Sequence, residues 1–199
     1  GSKERGLAAL GHVLHLIEDA TVPDHTRNDA HPPILSFGSP YEYWARSFDR
    51  ASIDVATKPL EKPAASLTEL DDYFDIVANY SNRNFFSEDT IVSAEYAEPA
   101  IDYYDGAFGF RVDGGGAYPV VRRRIAFAGG PEFTLIDPEN LILRAYWDRL
   151  SKQAIVYGTE VVKRYFDAVE EEGRTRVLYR RNQSLISRFF DVAQESVSD

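Results

Sequence analysis

The chain has no cysteine and no methionine among its 199 residues, only two tryptophans and four histidines, and a formal net charge of −10. Without cysteine there is no disulfide and no thiolate ligand, so any metal site must be built from His, Asp, Glu or backbone atoms. The lack of cysteine fits an oxidising or a reducing compartment equally. No apolar run approaches the roughly 18 residues that a membrane-spanning helix needs. The shortage of basic residues disfavours non-specific binding to nucleic acid or anionic lipid, which depends on clustered Lys and Arg. It does not exclude a phosphate substrate, because bound cations reverse the local field. Neither a G-x-G-x-x-G pattern nor a P-loop is present. The Gly114-Gly115-Gly116 run lacks a following Lys-Ser/Thr and reads as a flexible turn. The one basic cluster, Arg122-Arg123-Arg124, lies beside Val120, Val121 and Ile125 and reads as the solvated face of a strand rather than a phosphate site.

Hydrophobic residues make up 44% of the chain and aromatics 13%, enough for a sizeable core. The length suits one domain spanning 1–199. Gly1-Ser2 resembles a cloning remnant, and the missing methionine points to an excised or processed piece of a longer protein, so N-terminal truncation is expected.

Leu7, Leu10, Leu14 and Ile17 recur at three- and four-residue steps and predict a helix over 3–20. Val22-Pro23 ends it, because the residue before proline is pushed out of the helical region. A long loop then runs from Pro23 to Pro40. Ser39-Pro40 opens a second helix to about Ala56, with Tyr41, Trp44, Phe48 and Ile53 as core candidates. A proline-broken linker covers 58–65. Ser66, with Glu69 as a capping box, starts a third helix carrying Leu67, Leu70, Tyr73, Phe74 and Val77. Asn84, Ser87 and Asp89 read as a helix end and a new cap at Ser87 rather than a pocket lining. Residues 96–116 read as loop and turn. Short strands over 117–127 and 132–136 form a β-hairpin excursion within about 105–136. Asp137-Pro138 starts the longest helix, which Gly173 terminates, and a last helix spans 174–193. The expected fold is mainly α, a multi-helix domain with a small β-hairpin excursion.

All four histidines, His12, His15, His25 and His31, fall between residues 12 and 31. Glu18, Asp19, Asp24 and Asp29 lie among them. His15 and Asp19 are four apart, so an imidazole and a carboxylate share one helix face one turn apart and can reach one cation. His25 follows Pro23 closely enough to fold back over the helix end. Glu42, in the first turn of the next helix, could point to the same place or simply complement the helix dipole. Imidazole nitrogen and carboxylate oxygen are ordinary zinc ligands, so a metal site is favoured over a hydrogen-bonded polar cluster. His12, Glu18 and Asp24 are candidates for orienting the ligands. Tyr41, Trp44, Phe85 and Phe86 are candidates for an apolar wall against lipid or a stacking surface for a base.

Leu10, Gly11, Leu14, His15, Asp19, Pro23 and His25, within LGHVLHLIEDATVPDH, resemble the central ligand motif of the zinc-dependent phospholipase C and single-strand-specific zinc nuclease superfamily. The resemblance covers roughly residues 7–44 and extends to the later helices only as architecture. It implies a phospholipase-C-like helical fold, up to three zinc ions and hydrolysis of phosphoesters, phospholipid among them. It implies that His15 and Asp19 hold one zinc, Asp19 bridges to another, and His25 holds a further one with Glu42. The family's remaining histidine is replaced here by Gly38, for which His31 could compensate. The family also draws ligands from a segment upstream of this motif, so fewer ions are expected on the chain as given. A secreted or periplasmic location follows from the same resemblance. The alternatives are a nuclease or nucleotidase on the same scaffold, and a non-catalytic metal-binding helical domain with an incomplete site.

Overall fold

The computed structural model describes residues 2–29, 38–47, 67, 69–91, 93, 95–96, 99–125 and 131–195, and the side chains of the last helix as far as Val177. Among these residues the elements run α1 (Ser2–Asp19), α2 (Pro23–Thr26), α3 (Pro40–Ser47), α4 (Leu70–Asn84), a 3-10 turn (Glu88–Thr90), β1 (Tyr103–Asp105), β2 (Phe108–Asp113), β3 (Gly116–Ile125), β4 (Pro131–Thr134) and α5 (Leu141–Glu195). The chain divides into two compact units, Gly1–Thr159 and Glu160–Asp199. None of the described helices is long and apolar enough to cross a membrane.

The mainly-α expectation is corrected by the sheet. β1 to β4 form a four-stranded antiparallel sheet in the order β1-β2-β3-β4, so the fold is mixed α/β. The residues that suggest loop are the sheet's turns. Gly106-Ala107 closes the β1–β2 hairpin after Asp105, with Gly106 at φ +57°, and Gly114-Gly115 closes β2–β3 before Gly116 at φ +105°. Glycine suits these left-handed positions, and Asp-Gly is a strong hairpin signal. Gly109 has a different role. It sits at the register shift between β2 and β3, and a Cβ there would come 2.8 Å from Val121 Cγ1.

Helix boundaries also differ from expectation: the start of the expected 23–40 loop forms α2, and α5 begins at Leu141 rather than at Asp137-Pro138. α4 begins at Leu70, where the Asp72 carboxylate accepts the Glu69 amide at 3.3 Å; Ser66 lies outside the described residues. Gly173 does not end α5. No proline follows Pro138, and a lone glycine costs a helix only about 1 kcal/mol. Ion pairs from Arg174 to Glu170 and from Arg176 to Glu172 bracket that glycine. In the second unit, Phe166, Val169 and Val177 are exposed.

The core of the first unit lies between the sheet, the end of α4 and the first turns of α5. Phe85, Val120, Val121, Leu135, Ile142, Tyr146 and Leu150 are fully buried there. Each such side chain contributes roughly 1.5–3 kcal/mol by leaving water. Polar clamps set the register of these pieces. The buried Asp137 carboxylate accepts the Leu141 and Ile142 amides at 3.0 and 3.1 Å, which caps α5. The Glu88 carboxylate accepts the Thr134 hydroxyl at 2.7 Å and the Leu135 amide at 2.6 Å. The Tyr146 hydroxyl donates to the Val120 carbonyl at 2.7 Å and accepts the Phe86 amide at 3.1 Å.

These buried phenols make the fold sensitive to alkali. Burial pushes Tyr146 and Tyr41 well above the usual tyrosine range of about 10, and Tyr80 up to about 12. Above pH 10 the unfolded chain loses these protons while the fold keeps them, so unfolding releases protons. Stability is full below about pH 10 and falls as pH rises toward 12, by up to about 1.4 kcal/mol per pH unit for each tyrosine. Urea unfolding followed by circular dichroism should show a midpoint that drops steeply over this range. A midpoint constant to pH 12 would contradict the burial of these hydroxyls.

Candidate metal centre

Three short elements bring the predicted ligands together. α1 carries His15 and Asp19, one turn apart near its C-terminal end. Backbone bonds from Val22 N to Asp19 O (2.9 Å) and from His25 N to Val22 O (3.1 Å) turn the chain directly into α2. Pro23 occupies the first turn of α2, where its missing N–H costs nothing, and His25 follows. α3 then supplies Glu42 from its own first turn.

The side chains form a continuous run. His15 Nε2 lies 3.5 Å from Asp19 Oδ2, His25 Nδ1 lies 3.6 Å from Asp19 Oδ1, and His25 Nε2 lies 3.9 Å from Glu42 Oε1. Each oxygen of Asp19 therefore faces a different histidine, and each nitrogen of His25 faces a different carboxylate. The gaps exceed the roughly 3 Å of a good hydrogen bond. They are closer to the roughly 3.3 Å that separates neighbouring ligands around one tetrahedral zinc. The donors fall in pairs, and among the described residues no group of three or more His, Cys, Asp or Glu is placed so that it could hold a metal ion. The side chains of Asp19, His25 and Glu42 are about one-third exposed or less, whereas the His15 side chain is 68% exposed.

No family model, curated protein or solved structure matches this chain.

The other predicted site residues separate into three groups. His12 and Glu18 are exposed on α1, and Glu18 reaches a neighbouring pocket instead of the histidines. Asp24 is buried, and its Oδ2 accepts the Ser39 hydroxyl at 2.7 Å. His31 lies outside the described residues. Gly38, which stands where the resembling family has a histidine, adopts φ +71°. A histidine there would be strained in the left-handed region by about 1 kcal/mol, although among the described residues nothing lies within 4 Å of a Cβ.

An open pocket of about 420 Å³ adjoins the run at Glu42. Tyr41, Trp147 and Ile155 give it apolar walls, and Glu18 and Arg46 bring charge. Of the four aromatic wall candidates only Tyr41 lines it. Trp44 packs edge-on against Trp147 at 6.4 Å between ring centroids. Phe85 and Phe86 are corrected from pocket wall to core: Phe85 is fully buried, 4.7 Å from the Tyr146 ring centroid, and Phe86 is 5% exposed. Nothing in the sequence separates these roles, because an aromatic at a helix end serves either equally well.

Arg27 is absent from the expected site but holds it in place. It is 1% exposed. Its Nε donates to the Thr90 hydroxyl at 2.6 Å, and Nη1 donates to the Asn82 carbonyl at 2.8 Å. Its guanidinium stacks on Tyr96, 4.5 Å from the ring centroid. Burial pulls its pKa below the ordinary arginine value, against the opposing effects of Tyr146, Tyr96 and Asp29. Beside it, the Ser81 hydroxyl donates to the Thr21 carbonyl at 3.2 Å, and the Thr26 hydroxyl lies 3.4 Å from Ser81 Oγ. These contacts pin α2 to α4, two residues from His25.

Proposed function

We propose that His15, Asp19, His25 and Glu42 form a zinc-type cation site and that the protein hydrolyses phosphoesters there. The observation that carries this reading is the run of two imidazoles and two carboxylates spaced 3.5, 3.6 and 3.9 Å apart. The donor set, two imidazoles and two carboxylates, suits zinc. Asp19, with one oxygen toward each histidine, suits a bridging carboxylate. A bound cation would supply Lewis acidity and a water of lowered pKa. The protein's own part is positional. Asp19 orients both imidazoles, and Glu42 borders both the cation site and the pocket. Arg46, one turn beyond Glu42 on α3, can hold an anionic phosphoryl group. Tyr41, Trp147 and Ile155 can take an apolar substituent and keep water from it. Apolar walls of this kind favour a phosphoester with a lipid-like substituent over a long nucleic acid, which the net acidity repels.

The test is hydrolysis of phosphatidylcholine vesicles, bis(p-nitrophenyl) phosphate and single-stranded DNA, with zinc and after chelation. Zinc-dependent cleavage with the lipid preferred is expected. No zinc-dependent cleavage of any of the three would sink the hydrolase reading.

One observation favours a second reading. The two nitrogens of His25 face opposite carboxylates, so His25 would tie α1, α2 and α3 together with no cation. In that case zinc has no effect, and His25→Ala changes stability alone.

A further inference from the structure

Asp24 and Ser39 connect the two ends of the candidate site through the protein interior. Asp24 precedes His25 in α2, and Ser39 precedes α3 by one residue. Both are nearly inaccessible, at 2% and 3% exposure. The Ser39 hydroxyl donates to Asp24 Oδ2 at 2.7 Å, and Ser39 Oγ in turn accepts the Glu42 amide at 3.1 Å. A continuous path therefore runs from the Asp24 carboxylate through one hydroxyl to the backbone of Glu42. The second of these bonds is an ordinary helix N-cap, which any isolated helix could carry. The first is not, because it joins the cap of α3 to a buried carboxylate fifteen residues earlier. Hydrogen bonds in series polarise one another, and a carboxylate acceptor makes the hydroxyl oxygen a better acceptor for the amide.

We infer that Asp24 and Ser39 are positioning residues that set the distance between His25 and Glu42. Resting on the cation-site reading above, this assigns a role to groups that touch no ligand. α2 has only four residues and is anchored to α4 on its other side through Thr26 and Ser81. The Asp24–Ser39 bond therefore fixes where α3 begins relative to His25. The 3.9 Å gap from His25 Nε2 to Glu42 Oε1 depends on it. Removing the hydroxyl frees the start of α3 and leaves a buried carboxylate without that donor. The ligands stay in the sequence but lose their spacing.

Cobalt(II) titration reads this directly, because its visible absorption reports ligand geometry as well as affinity. Ser39→Ala should raise the apparent cobalt dissociation constant at least about tenfold and alter the visible band, as loss of an outer hydrogen-bond partner does at metal sites. Asp24→Asn keeps the shape and an acceptor oxygen, and should fall between Ser39→Ala and the wild type. Ser39→Thr keeps the hydroxyl and should restore the wild-type spectrum. Tyr146→Phe serves as the control for stability alone: it should lower the melting temperature and leave cobalt affinity unchanged. If the wild type binds cobalt and both Ser39→Ala and Asp24→Asn bind within twofold of it, the positioning role is overturned and the cation site stands. If the wild type binds neither cobalt nor zinc, both fall together.

Discussion

Replacing His25 with alanine should abolish measurable zinc binding in a calorimetric titration, weakening it by at least about a hundredfold. Loss of an outer hydrogen-bond partner already costs a metal site roughly 10–100-fold, so about a hundredfold is the floor for a ligand. His25 is the most sensitive position because it alone faces both Asp19 and Glu42. His15→Ala should cost less, since its side chain is largely exposed and, among the described residues, faces Asp19 alone. The same loss appears in stability. Zinc at a hundred times its dissociation constant should stabilise the wild type by about 2.7 kcal/mol. For a unit of this size that raises the melting temperature by roughly 5–10 °C. The shift should vanish in His25→Ala. A variant that keeps the shift would show that His25 is not a ligand.

Arg27→Ala should be the most damaging single change to the scaffold, lowering unfolding free energy by about 3 kcal/mol or more. The substitution leaves a cavity, removes the Arg27 donors from the Thr90 hydroxyl and the Asn82 carbonyl, and takes a cation away from the nearby Asp29 carboxylate. The melting temperature should fall by roughly 10 °C. Arg27→Lys should not rescue it, because an ammonium cannot donate in two fixed directions while stacking on Tyr96. Zinc affinity should fall as well, since α2 loses one of its anchors to α4 and keeps the Thr26–Ser81 contact. Differential scanning calorimetry with and without zinc separates the two effects. A loss of less than about 1 kcal/mol would mean that the Arg27 contacts contribute little.

Local chemistry is legible in the sequence where it follows a period or a cap. The i,i+4 spacing of His15 and Asp19 survives intact in α1, and Ser39-Pro40 opens α3 as its cap and first-turn residue. That reasoning leaves Glu42 either beside His25 or against the helix dipole, and the 3.9 Å approach of the two comes from the fold. The sheet is harder to see because its first two strands are three and six residues long and punctuated by Asp105-Gly106 and Gly114-Gly115. Those residues break helices and make hairpins, and only pairing with β3 decides between strand and loop. The long-range polar contacts carry no local signal. Arg27 looks like any surface arginine until Thr90 and Asn82 close around it, and Asp24 looks like a residue that orients a ligand until it is seen to accept the Ser39 hydroxyl in the interior. Phe85 and Phe86 escape sequence reasoning for the same cause: burial is settled by Tyr146 and the strands, none of which is near them in sequence.

The central claim is that the His15–Asp19–His25–Glu42 run binds a zinc-type cation. Its most direct test is the zinc content of metal-replete wild-type protein after gel filtration, measured by elemental analysis beside His25→Ala. At least one zinc per chain in the wild type, with none in the variant, is the predicted result. No zinc in the wild type, or equal zinc in both, would contradict it.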